Sequence, residues 1–110
     1  MIINMKSQPP LACNMNVFTA AQREQHIQNT RQVFQTVQNI QEAENGFEFT
    51  LPNGSDLIKI SEFIANERLC CPFLKFTLTI VPDPKPITLL LTGPIGTQQF
   101  LREEFSESFA

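Results

Sequence analysis

The sequence predicts an α+β domain of two layers, three helices packed on one face of a mixed four-stranded sheet. Two patterns and one count carry this. Four short segments alternate apolar with polar residues, as strands with one covered face do. Between them lie stretches whose apolar residues recur every three or four positions, as on amphipathic helices. Finally, 110 residues, 42% hydrophobic and 17% charged, suffice for one core without disulfide staples and are too apolar for a disordered chain. One domain is expected over residues 1–110, with residues 1–10 as an N-terminal tail.

Leu11, Cys13, Met15 and Val17 fall on one side and Asn14 and Asn16 on the other, which reads as a half-buried first strand. Thr19-Ala20-Ala21-Gln22 is a capping-box pattern. Ile27, Val33, Phe34, Val37 and Ile40 then predict a first helix from about Ala20 to Glu44, stopped by Asn45-Gly46 as a left-handed cap. Its opposite face, rich in Gln, Asn, Arg and Glu, is solvated, and His26 falls in that polar stretch. Phe47, Phe49 and Leu51 alternate with Glu48 and Thr50 in a second strand that ends at Pro52-Asn53-Gly54.

Ser55 or Asp56 caps a second helix. Its stripe is Leu57, Ile60 and Ile64, flanked by Ile58 and Phe63, and Pro72 ends it near Leu69 or Cys70. A third strand turns Leu74, Phe76, Leu78 and Ile80 inward and Lys75, Thr77 and Thr79 outward. The proline-rich run Pro82 to Pro86 is a stiff connection. Ile87, Leu89 and Leu91 form a fourth strand, hairpin partner of the third. Gly93-Pro94-Ile95-Gly96 turns into a last helix with Phe100, Leu101 and Phe105 facing the core. The order is β-α-β-α-β-β-α. Both strand-helix-strand units should cross right-handed. A ferredoxin-like relationship is compatible with this order without following from it. The uncovered sheet face carries Lys75, Thr77, Thr79 and Thr88 and is either solvated or paired in a homodimer.

A net charge of -3 argues against nucleic acid as a partner, since backbone binding needs clustered Lys and Arg. No segment reaches the roughly 18 apolar residues of a membrane span. The opening residues hold one Lys and no apolar block of signal-peptide length, so the expected address is cytoplasmic. Three cysteines, an odd number, fit a reducing compartment better than a disulfide framework.

The chemistry-bearing residues are those cysteines. Cys70 and Cys71 are adjacent at a helix C-terminus and follow Glu67 by three and four positions, which puts the carboxylate on their side of the helix. The inward face of the first strand places Cys13 within reach. Three thiolates form a soft trigonal site, selective for thiophilic ions over Mg²⁺ or Ca²⁺. The helix C-terminus and Glu67 both oppose thiolate formation, and a cation reverses that balance, so metal binding is easier to defend than a reactive free thiol. No four-ligand zinc spacing is present, and Gly93-Pro94-Ile95-Gly96 lacks the features of a phosphate loop. Glu67 has two physical fates: a structural acceptor for a backbone N–H or an Arg, or a member of the cysteine pocket without a firm structural partner, held protonated there.

Three runs resemble a small bacterial family: Leu11-Ala12-Cys13-Asn14-Met15, Gly46-Phe47-Glu48-Phe49, and above all Glu67-Arg68-Leu69-Cys70-Cys71-Pro72-Phe73-Leu74-Lys75-Phe76-Thr77-Leu78. That family occurs as free-standing proteins and is similar to a module fused behind the DNA-binding domain of some mercury-regulator-like transcription factors. The resemblance spans roughly Leu11 to Leu101 and implies sensing or sequestration of a thiophilic metal. This chain departs from the fused regulators in having no helix-turn-helix region.

The expected function is thus a small module binding a soft metal or metalloid ion through Cys13, Cys70 and Cys71, with Glu67 beside them. Two alternatives stay open. One is a thiol-dependent enzyme that cleaves an organometal, with chemical logic similar to that of organomercurial lyases, or reduces a thiol substrate. The other is a structural or interaction domain with inert cysteines. Shared coordination requires the Cys13 sulfur within about 8 Å of the other two, given metal–sulfur bonds of about 2.3 Å.

Overall fold

Thr19 starts the first helix as its spacing requires. In the computed structural model, which describes residues 11–109, the Thr19 hydroxyl accepts from the Gln22 N–H (3.2 Å) and the Gln22 side chain accepts from the Thr19 N–H (2.9 Å). The expected tail, residues 1–10, lies outside the described residues. Helix α1 spans Ala20–Phe34. It ends well short of Glu44, because the β-branched Thr36, Val37 and Ile40 are poor helix formers and Thr36 caps the end, its hydroxyl donating to the Val33 carbonyl (2.7 Å). The chain instead forms strand β1 (Asn39–Ala43), which turns through Glu44 and Asn45 into β2 (Gly46–Leu51).

Asn45 does take the left-handed conformation expected at Asn45-Gly46 (φ 54°), but it serves a hairpin and not a helix cap. A Cβ on Gly46 would overlap the Leu91 carbonyl oxygen of the neighbouring strand. Gly46→Ala is therefore expected to lower stability by about 1–3 kcal/mol, read by chemical denaturation. Wild-type stability in that variant would show that the β2–β4 contact yields freely.

Helix α2 (Leu57–Cys70) is capped by Asp56, whose carboxylate accepts from the Ile58 and Lys59 N–H groups (3.0 and 3.2 Å). Strands β3 (Lys75–Thr79) and β4 (Ile87–Thr92) follow, then α3 (Thr97–Glu104) and the short α4 (Ser106–Phe109). The sheet order is β1-β2-β4-β3, with every adjacent pair antiparallel. The α+β class and the two layers are as the sequence implied. The sheet is antiparallel and not mixed, because the expected first strand is not a strand and β1 arises from the tail of the expected first helix.

Alternation holds within β2, β3 and β4. Phe47, Phe49, Leu51, Ile87, Leu89 and Leu91 are buried under the helices, while Lys75, Thr77 and Thr79 face out. Ile80 lies beyond β3 and is exposed. The centre of the core is aromatic. Phe34 stacks on Phe105 at 4.2 Å and meets Phe49 and Phe63 edge-on at 5.1 and 5.2 Å, favoured offset and T-shaped geometries. No helix among the described residues is long and apolar enough to cross a membrane.

Candidate metal centre

The segment before α1 was expected to be a strand, yet it closes into a 3-10 turn, Met15–Val17. The cause is local. The Asn14 side chain accepts from the Asn16 N–H (3.1 Å), a short-range bond that competes with strand pairing. The Asn14 N–H donates to the Cys70 carbonyl (2.7 Å), one of the carbonyls that a helix C-terminus leaves without an intrahelical partner. That bond lashes the N-terminal segment to the end of α2 and brings Cys13 beside Cys71.

Ligand atoms of Cys13, Glu67, Cys70 and Cys71 all lie within 4.8 Å of one another. All four sequence-derived site residues therefore meet, well inside the 8 Å limit. Cys70, Cys71 and Glu67 are buried and Cys13 is half-buried. The sulfurs of Cys13 and Cys71 are joined in a disulfide, with Cα atoms 4.6 Å apart, and Cys70 is a free thiol. The odd cysteine count had argued against disulfides, yet two of the three pair and leave the third over.

The Cys70 sulfur is 3.7 Å from that of Cys71 and 3.6 Å from Glu67 Oε1. Glu67 Oε2 lies 3.5 Å from the Cys71 sulfur and 4.0 Å from the Cys13 sulfur. His26 was expected to be solvated on the polar face of the first helix, and there the structure differs. His26 is 4% exposed, and its Nε2–H donates to Glu67 Oε1 at 2.8 Å. Its ring stacks on Phe63 at 5.9 Å and tilts against Phe18 at 5.4 Å. Glu67 thus matches neither envisaged fate as stated: it sits in the cysteine pocket and yet has a firm partner, a histidine in place of a backbone N–H or an Arg.

A signal for His26 was present. Counting back seven and four positions from Val33 along the helix gives His26 and Asn29, and both are buried with it, whereas Ile27 is 40% exposed. The Asn29 amide donates to the Lys59 carbonyl (3.0 Å), tying this polar end of the stripe to α2. Glu104, at the end of α3, was also missed; its Oε1 lies 3.6 Å from the Cys13 sulfur. No local pattern marks it, because α3 packing alone delivers it.

Electrostatics at the site hold the free thiol protonated. Burial first, then the Glu67 charge and hydrogen bond, and lastly Glu104, push Cys70 from 9.0 up to about 12. Partial desolvation, and then Glu67, raise the Glu104 carboxyl above its ordinary value, with His26 opposing. A raised pKa means folding favours the protonated thiol. That contribution is complete below about pH 9, the unfolded value, and is lost as pH rises towards about 12. Oxidised protein, in which Cys70 is the one free thiol, should therefore lose stability across this window, and Cys70→Ala should flatten the loss. Parallel pH curves for the two proteins would contradict it.

A cleft of about 520 Å³ opens next to the cluster, with His26, Glu67 and Glu104 in its wall. Compared with known protein families, with curated proteins and with solved structures, the chain matches none.

Proposed function

We propose that this protein, in its reduced state, captures a thiophilic metal or metalloid ion through Cys13, Cys70 and Cys71, with Glu67 beside the bound ion. The observation that carries the reading is the convergence of the four ligand atoms within 4.8 Å. Three thiolates about 2.3 Å from one ion in a plane stand about 4 Å apart, and Cys70 and Cys71 are already at 3.7 Å. Reduction of the Cys13–Cys71 bond frees the third donor. A reducing compartment such as the cytoplasm keeps such a site open, and the resemblance around Glu67-x-x-Cys-Cys points to the same ion class.

Sulfur donors without a fourth protein cysteine favour mercury or a comparably soft ion over zinc. Binding must expel thiol protons, since thiolates are the ligands. Titration of reduced protein with Hg²⁺, Cd²⁺ and Zn²⁺ is expected to give a thiolate charge-transfer band and proton release, saturating at one ion per chain for the softer metals. A triple Cys→Ser variant that binds equally well would remove the site.

The Cys13–Cys71 disulfide supports a second reading, thiol–disulfide chemistry, in which two small thiols reduce that bond and leave as their own disulfide. Cys70, held protonated, is a poor attacking group for it. Catalytic turnover of a small-thiol/disulfide pair, lost in Cys13→Ser, would favour this reading over capture.

A further inference from the structure

Strand β3 closes one side of the sheet, and its outer edge has no partner among the described residues. An edge strand presents a row of unpaired backbone N–H and C=O groups, which proteins commonly guard with charges, prolines or bulges. Within β3 the one such guard is Lys75, and the register with β4 runs unbroken over five pairs. The covered side of the strand is also unfinished. Phe76 and Leu78 pack against the core but are only half-buried, whereas Leu91 and Leu89, opposite them on β4, are fully buried. Just beyond the strand, Ile80 and Val81 are 55% and 37% exposed.

The residues around β3 form a palindrome of chemical classes centred on Thr77. Reflection through Thr77 sets Phe76 against Leu78, Lys75 against Thr79, Leu74 against Ile80 and Phe73 against Val81. Antiparallel pairing of two such strands places these residues directly opposite one another, on the same side of the sheet. Apolar then meets apolar, threonine meets threonine, and the charge in segment 73–81, Lys75, faces a threonine and not its like. Cross-strand pairs of these kinds stabilise sheets. The opposite edge lacks this property. Reflection of β1 through its central Gln41 sets Ile40 against Glu42, whose carboxylate Arg102 already holds.

We propose that two copies of this chain associate edge to edge through β3, antiparallel and in register about Thr77, to form one eight-stranded sheet. A two-fold axis perpendicular to the sheet keeps both helical layers on one side and makes the contact isologous. Ile80 of each copy is then covered by the Leu74 end of the other. The contact involves no cysteine and needs neither a metal ion nor a particular redox state, so its test is independent of the ion titrations above.

The test is sedimentation velocity at protein concentrations from about 1 μM to about 1 mM, the range in which a small interface of this kind associates. Wild type is expected to pass from monomer to dimer. Thr77 is exposed, so its substitution leaves the core alone. Thr77→Lys places two ammonium groups face to face at the axis, and Thr77→Glu two carboxylates. Each variant alone should dimerise about fivefold more weakly than wild type, and an equimolar mixture of the two should recover the association. Thr50→Lys, on the same uncovered face but on the interior strand β2, should associate as wild type does. Thermal melts confirm that the variants are folded. Wild type that stays monomeric throughout overturns the proposal, because the edge is then solvated or covered by the chain itself. Thr77→Lys and Thr77→Glu that both associate as tightly as wild type overturn it too. So does weakening confined to Thr50→Lys, which assigns the contact to the open face of the sheet.

Discussion

His26→Phe is expected to cost about 3 kcal/mol of stability, although phenylalanine fits an apolar setting between Phe18 and Phe63. The penalty comes from Glu67. At 2% exposure its carboxyl loses the 2.8 Å donor that offsets its removal from water. For a domain of about 100 residues this corresponds to a fall in melting temperature of more than about 10 °C. Glu67→Gln retains an acceptor for the Nε2–H and should cost less, about 1 kcal/mol. Equal stability of His26→Phe and wild type would mean that the pair is decoration. The ordering of the two variants separates loss of the partner from loss of charge.

The second large effect follows from opening the disulfide. Cys13 and Cys71 are 58 positions apart, and closing a loop of that length restricts the unfolded chain by about 4 kcal/mol in the chain-entropy account. Reduction should release most of that stabilisation. A soft ion bridging Cys13 to Cys70 and Cys71 closes the same loop again, so the reduced protein should regain melting temperature when Hg²⁺ or Cd²⁺ is added. Cys13→Ser cannot close the loop either way. It should lose ion affinity by more than about 100-fold, taking roughly 3 kcal/mol per ligand from the 10–16 kcal/mol typical of four-ligand thiolate and imidazole sites. Recovery of stability in Cys13→Ser on adding the ion would show that the bridge does not run through Cys13.

The parts of this fold readable in the sequence are those where local chemistry and tertiary packing agree. Phe47, Phe49 and Leu51 alternate because the sheet has one covered face, and Asp56 and Thr19 cap helices wherever those helices are packed. Segments with weak or two-valued patterns were misread. Gln35 to Gln41 offers only Val37 and Ile40 as half-buried anchors, so helical and strand periodicities fit it equally. Leu11, Cys13, Met15 and Val17 do alternate, but Asn14 and Asn16 draw the backbone into a tight turn.

The candidate site was legible in its four ligands because spacing on α2 fixes three of them and the inward set of residues 11–17 suggests the fourth. Its supporting residues were less so. His26 was hidden by its polarity, although its position on the Val33 stripe marked it, and a polar residue on an apolar stripe is the informative kind of exception. Glu104 reaches Cys13 across 91 positions of chain, a contact that no local pattern encodes.

X-ray absorption at the metal edge of the reduced protein loaded with one equivalent of Cd²⁺ or Hg²⁺ tests the central claim most directly, because it counts sulfur neighbours. Three sulfur atoms around each ion in wild type, falling to two in Cys13→Ser and in Cys70→Ser, is the expected result. Two sulfurs in wild type, unchanged in Cys70→Ser, would contradict a three-cysteine site and leave Cys70 a buried core thiol.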